Sequence, residues 1–414
     1  MKRLLTACAA VLLPAAIAHA NVVTDWDAKA MDIIQGNAPA PPPEIGPAGG
    51  ERIATIMHLA MFGAVNTIDP QYQPYQGQAH PKVDASQEAA ATSAAATVLI
   101  KMLPDKATKI SQQRDAYLAR IPDGDAKDRG VKLGEEMALK AIESRLNDGY
   151  GAPNGFRPVT QPGAYTETML TYGWDISTMR PFALTGPSQF RPPPPIALTS
   201  EEWAKNYNEM KEYGEKNSPK RTPRQTEDAK FWLTVPPGSN QPLARQIVIK
   251  KNMSIVDSAR FMALATMAQM DAFIAVFDAK YHYTFWRPIT AIRNGDIDGN
   301  PATDRVATWQ PIALTPMHPE YPCSHCIGTG AMAGAIAAIL GTDEIPESEL
   351  VSPTAPGVTH RYTNLHAFNN EVSEARIWAG FHWRFSTEVG KDTGWKIGAY
   401  TVQTCMQPLK VAAK

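Results

Sequence analysis

Cysteine is scarce, four among 414 residues, which excludes a small domain held together by a disulfide framework. Charge of one sign is also lacking. Lys and Arg number 40 against 41 Asp and Glu, so nothing marks a nucleic-acid partner. After residue 20 no stretch reaches the roughly 18 consecutive apolar residues of a membrane span, so no transmembrane segment is expected in the mature chain. Alternation with period two is missing from the N-terminal half, and no internal repeat is evident. The class expected is therefore all-α.

Proline is abundant instead, at 35 residues. Lys2 and Arg3, an apolar run over 4–17 and Ala18-His19-Ala20 read as a signal peptide over 1–20. An exported protein follows, periplasmic or secreted. Residues 21–150 form an N-terminal helical region, 151–199 a Pro/Gly-rich connection and 200–414 a C-terminal helical bundle. Helical spacing and capping signals place helices at 28–36, 51–66, 86–102, 106–120, 125–147 and 200–216. The charged residues 211–224 read as a solvated turn. Further helices are expected at 254–281, from about 325 to 340, at 369–381 and at 387–405, with a loop region between 340 and about 362.

Three late segments carry the chemistry. They are Lys280-x6-Arg287-Pro288, Pro322-Cys323-Ser324-His325 and Ala375-Arg376-x5-His382-x3-Ser386. Together they offer three fixed positive charges and two imidazoles. Guanidinium groups present planar donors to a tetrahedral oxyanion, Lys is a point charge, and His can donate, accept or bind a metal centre. The apolar helix opening near His325 would add its unpaired N–H groups. Phe273, Phe277 and Lys280 share a helical face, and Arg287, lying before Pro288, is turned out of the helix.

In order and spacing these segments resemble the signature of the vanadium-dependent haloperoxidases and the related type-2 phosphatidic acid and bacterial acid phosphatases: Lys-x6-Arg-Pro, Pro-Ser-Gly-His, Ser-Arg-x5-His-x3-Asp. The aromatic flanks, Phe285-Trp286 and Phe381-His382-Trp383, are more similar to the haloperoxidase branch. The resemblance covers about the last third of the chain and implies two helical bundles. It also implies oxyanion binding by Lys280, Arg287, Ser324 and Arg376. His382 would bond to the vanadium of vanadate or form a phosphohistidine, and His325 would be the acid/base.

The function implied is a haloperoxidase-like enzyme that holds vanadate and oxidises halide with hydrogen peroxide. A phosphomonoesterase on the same site is the alternative, and a phosphate-binding protein that has lost turnover is a third. The partners are small molecules in each case.

Some positions depart from the signature: Cys323 for Ser, Ser324 for Gly, Ala375 for Ser and Ser386 for Asp. Loss of the Asp removes a carboxylate that should orient an Arg or His, which predicts weakened catalysis. A free Cys323 thiol would be oxidised during peroxide turnover, which favours phosphate chemistry unless it is locked in a disulfide. Cys323–Cys326 and Cys326–Cys405 are both open pairings. His282, His318, His360 and His366 read as structural or supporting residues, and Phe277, Phe285 and Trp286 as core.

Overall fold

The computed structural model describes residues 20–77, 81–167 and 169–409. The signal-peptide reading thus lies outside the described residues except for Ala20. The first helices are α1 (Val22–Ile34), α2 (Gly46–Ile68), α3 (Gln87–Met102), α4 (Ala107–Leu118) and α5 (Asp125–Glu143). There follow α6 (Trp174–Ser177), α7 (Glu201–Tyr213), α8 (Pro223–Phe231), α9 (Gln241–Lys250), α10 (Ile255–Tyr283) and α11 (Pro288–Ile292). The chain continues with α12 (Ser324–Leu340), strands β1 (Glu344–Ser352) and β2 (Ala355–Asn364), then α13 (Leu365–Trp378) and α14 (Arg384–Thr404).

The all-α expectation needs one correction. β1 and β2 pair antiparallel, with Ser348 opposite Tyr362 and Leu350 opposite His360. Along β1, Ser348, Leu350 and Ser352 are buried while Glu347, Glu349 and Val351 are not. That is period-two burial, but two of its three buried members are serines, so hydrophobicity alone does not show it.

α2, α3 and α5 pack into one bundle, and α10, α12, α13 and α14 into another. α10 touches both α2 and α12, so one apolar core runs through the two bundles. In the second bundle the closest pair is α12 and α14. A side chain at Gly394 would collide with the Ile327 carbonyl oxygen, so only glycine permits that approach. α10 is long and apolar enough to cross a membrane, yet 94% of its most apolar window is buried inside the protein. It is a core helix.

The Pro/Gly-rich stretch contains one helical turn, α6, and is fastened along α10 by side chains. Asp271 accepts from the backbone N–H of Phe182, Ala183 and Leu184 at 2.6, 2.7 and 2.9 Å. Arg191 grips Asp278 with two bonds of 2.7 and 2.8 Å, and the Tyr283 hydroxyl donates to the Pro192 carbonyl at 2.6 Å. The stretch 211–224 is mostly exposed turn as expected, with Arg221 as a buried exception. Arg221 donates to the carbonyls of Tyr213, Glu215, Lys216 and Trp378, so one guanidinium organises the bend between α7 and α8.

Candidate active site

The site lies where the end of α10, the start of α12 and the turn between α13 and α14 converge. α10 stops at Thr284, whose backbone is left-handed at φ 49°. Arg287 is extended ahead of Pro288 (φ −80°, ψ 154°), so its side chain leaves the helix axis as the proline geometry demands. Both Lys280 and Arg287 are fully buried.

Lys280 commits all three ammonium protons to the loop beneath it. Nζ donates to the carbonyls of Pro319, Glu320 and Pro322 at 2.9, 2.6 and 2.5 Å. Arg287 donates from Nε to the His318 carbonyl at 2.8 Å and from Nη1 to the Phe381 carbonyl at 3.1 Å. These cations therefore clamp the backbone that carries the second and third motifs.

Ser324, His325, Arg376 and His382 border one cavity of about 410 Å³, while Lys280 and Arg287 lie in the layer behind it. Arg376 donates from Nη1 to the Trp232 carbonyl at 2.6 Å, and its Nε is buried without a hydrogen-bond partner. The Ser324 hydroxyl, at the N-terminus of α12, is likewise buried and unpartnered. His325 holds the Thr234 carbonyl through Nε2 at 3.2 Å.

The carboxylate missing at position 386 is replaced from another segment. Glu320, fully buried, sits 2.7 Å from His382 Nδ1 through Oε1 and also accepts the Trp383 N–H at 3.2 Å. With Nδ1–H donated to Glu320, His382 keeps its Nε2 lone pair, 3.3 Å from Arg287 Nη1. This is the tautomer that a ligand or nucleophile requires. The expectation of an unoriented imidazole is thereby corrected.

The thiol concern also falls away, because Cys323 and Cys326 form a disulfide and Cys405 is the free cysteine among the described residues. Cys323 caps α12, its Sγ accepting the Cys326 N–H at 3.2 Å.

Electrostatically the site is a buried excess of positive charge. Burial, then the neighbouring cations, drives Lys280 well below its usual value. Arg376 is pushed down to about 9 by burial and then by Arg287, and Arg287 to about 10 chiefly by burial. His325 and His382 are held well below the usual imidazole range by burial and then by Arg376 and Arg287 respectively. Burial pushes Glu320 up to about 7 against the pull of Lys280 and Arg287. An anion entering here would relieve the repulsion among the cations and favour protonation of the imidazoles.

Two participants were not picked out from the sequence as site residues. Glu320 stands in His318-Pro319-Glu320-Tyr321-Pro322, and a carboxylate in so apolar a run beside a motif was the available signal. His318, read as supporting, reaches the cavity and lies 3.0 Å from Arg287 Nη2 through Nδ1. His282 and His366 do not border the cavity, and His360 pairs with Glu371 at 2.6 Å beside Phe231. Phe285 and Trp286 are core, in an aromatic cluster with Trp203 and Trp383. Phe277 is buried too, yet it forms part of the cavity wall.

Comparison with known proteins bears on the fold and on the C-terminal bundle. Residues 260–410 match the family model described as the VCPO second helical-bundle domain. The chain is 27% identical over 239 residues to vanadium chloroperoxidase of Curvularia inaequalis, a match covering 42% of this chain and 38% of that protein. It thus spans well under half the length of that curated relative. A bacterial vanadium-dependent iodoperoxidase superposes with a TM-score of 0.77 at 21% identity, covering 94% of this chain and 97% of the other. A holo bacterial vanadium-dependent chloroperoxidase gives 0.75 at 16%, covering 95% and 98%. The chain thus shares the helical-bundle fold of these proteins, and residues 260–410 are similar to the VCPO second helical-bundle domain.

Proposed function

We propose that this chain is a vanadium-dependent haloperoxidase that oxidises halide with hydrogen peroxide, exported to an oxidising compartment. The observation that carries the reading is His382: Nδ1 is spent on Glu320, and the Nε2 lone pair faces the buried cations, held by Arg287 Nη1 at 3.3 Å. The residues fit vanadate. Arg376 Nε and Ser324 Oγ are buried donors without partners, the first N–H groups of α12 stand beside them, and His382 supplies the imidazole. Vanadate, when bound, supplies a Lewis-acidic centre that activates peroxide toward halide.

The chain's own residues do the rest. Arg376 and Ser324 would hold oxyanion oxygens, and Lys280 and Arg287 fix the backbone beneath them while contributing charge. Glu320 keeps the His382 tautomer. His325, held neutral by burial and by Arg376, would gain a proton when an anion offsets Arg376 and then act as the acid. The Cys323–Cys326 disulfide removes the one thiol that peroxide would attack at the site. It also supports export, since disulfides persist outside the reducing cytosol.

A phosphomonoesterase is the second reading, favoured by the same Glu320–His382 pair, which would equally orient a nucleophile. Parallel assays decide between them. Bromination of a phenol dye that requires added orthovanadate and disappears in His382→Ala establishes the peroxidase. Hydrolysis of a chromogenic phosphate that orthovanadate inhibits establishes the phosphatase, and silence in both leaves a binding protein.

A further inference from the structure

Outside the cage, three elements bring ionisable side chains together. Glu227 and Asp228 come from α8, His360 from β2 and Glu371 from α13. One oxygen each of Glu227 and Asp228 and one ring nitrogen of His360 lie within 4.8 Å of one another. Asp228 is 5% exposed and His360 2%, and groups of this kind are rarely buried unless something answers them.

The imidazole is already set as a ligand. Its Nδ1 lies 2.6 Å from Glu371 Oε1, which also accepts the Tyr362 hydroxyl at 2.6 Å and the Trp232 indole N–H at 3.0 Å. Burial pushes the Glu371 carboxyl up, but bonds from His360, Tyr362 and Trp232 hold it below its usual value. An ionised carboxylate only accepts, so the proton between the two sits on Nδ1. The Phe231 ring, stacked on the imidazole at 3.9 Å between centroids and 7° between planes, fixes its orientation. Nε2 then stands 3.6 Å from Asp228 Oδ1, and both atoms are buried without a hydrogen-bond partner among the described residues. That separation is too long for a hydrogen bond. It is close to the roughly 3.4 Å between two ligands of a tetrahedral zinc ion with bonds of about 2.0–2.2 Å.

The cluster also lacks positive charge. Its three carboxylates share the guanidinium of Arg224, which bonds Glu227 at 3.1 Å and stands 3.8 Å from Glu371. Arg224 Nε lies 2.8 Å from Asp228 Oδ1 but out of line for a hydrogen bond. Burial, then the charge of Glu371, raises the Asp228 carboxyl even so. The Arg224 side chain is 57% exposed, so an incoming cation can displace it into solvent. A surface cleft bordered by Thr226, Glu227 and Val358 gives the way in.

We propose that Glu227, Asp228 and His360 bind a divalent ion of the zinc class, with Glu371 holding the imidazole by its other nitrogen as metal-bound histidines are commonly held. An imidazole with two carboxylates suits zinc, whereas magnesium and calcium prefer oxygen ligands alone. Three protein ligands leave a fourth position for water. The ion ties α8 to β2 and α13. Trp232 connects this joint to the cage, since its indole bonds Glu371 and its carbonyl bonds Arg376. The site is independent of which reaction the cage performs.

The test is calorimetric titration of zinc chloride into full-length, metal-free protein at neutral pH. One zinc ion per chain should bind saturably, and His382→Ala, which breaks the imidazole cluster of the cage, should retain it. His360→Gln should abolish binding. Should that buried variant fail to fold, Glu227→Gln decides, because its position is partly exposed; affinity there should fall at least about tenfold. Magnesium in about hundredfold excess should not displace the zinc. No saturable binding, or equal affinity in wild type and Glu227→Gln, overturns the proposal. Loss of binding in His382→Ala overturns it by placing the ion in the cage, and displacement by magnesium does so by reducing the cluster to an acidic patch.

Discussion

Two of the places where this molecule buries charge resolve the cost in opposite ways. Where α1, α2, α9 and α10 meet, the buried ionisable groups are mainly carboxylic acids, and each is answered from within. Asp27 is kept ionised by Arg245 and by His58 at 2.9 Å, against the push of its burial. Glu51 instead takes up a proton, burial raising it to about 8. At the active site the excess is cationic: Lys280, Arg287 and Arg376 with Glu320 as counter-charge, while Arg376 Nε and Ser324 Oγ are left over. A carboxyl group can shed its charge by binding a proton, but guanidinium groups scarcely can. Buried acid is therefore compatible with a purely structural joint, as is a guanidinium such as Arg221 whose donors meet carbonyls, whereas clustered guanidinium groups with a donor left over mark a place where a ligand supplies the missing charge.

The sharpest way to break this contrast is to remove a cation. Arg376→Ala should lower turnover and oxyanion affinity by about 10²–10³, measured by steady-state kinetics and phosphate titration. The lost bond to the Trp232 carbonyl should cost about 1 kcal/mol of stability, offset in part by relief of the repulsion with Arg287. A large drop in melting temperature with unchanged phosphate affinity would make Arg376 a structural ion instead.

The opposite pattern is expected at Asp271, whose carboxylate accepts three backbone N–H groups of the irregular connection. Asp271→Ala strands all three donors and should cost about 3 kcal/mol of stability, read from denaturant midpoints. Phosphate affinity of the protein that remains folded should stay near wild type.

How far the site could be read in advance follows from the same contrast. The cage residues were legible because each is a charged or imidazole side chain at fixed spacing, and such groups have few uses inside a core. The helices α2, α3 and α10 were legible from periodicity. The hairpin was not, since Ser348 and Ser352 share its buried face with Leu350. α8 begins with a capping box formed by Thr222 and Gln225, but its charged surroundings masked that signal. The wall formed by residues 39–48 was beyond reach, because prolines and alanines have many roles and only tertiary folding brings them to His325. Glu320 escaped because the carboxylate was sought at position 386.

That relocation sharpens the comparison, since Glu320 is the one acid among the cations. Glu320→Gln should reduce turnover about 10–100-fold with a much smaller change in KM, because the imidazole loses its orientation while Arg376 and Ser324 still bind. Adding Ser386→Asp to that variant places a carboxylate at the position the family signature uses, and it should recover part of the loss. A deficit confined to KM, with no recovery in the double variant, would show that Glu320 serves charge balance alone.

The smallest effect separates protonated acid from paired acid at the structural joint. Glu51 receives Gln269 Nε2 at 2.6 Å, and its other oxygen has no partner. Folded Glu51 holds its proton up to about pH 8, whereas the ordinary value for the unfolded chain is 4.5. Between those limits unfolding releases a proton, so stability is greatest on the acid side and is lost as pH rises toward 8. From pH 6 to pH 7 this contributes about 1 kcal/mol, measured as the change in unfolding free energy. Glu51→Gln removes the titrating group while keeping an oxygen for Gln269, and the slope attributable to this site should vanish. An equal slope in wild type and variant would mean that Glu51 is ionised in the folded protein, and the distinction between the two buried regions would then fail at this residue.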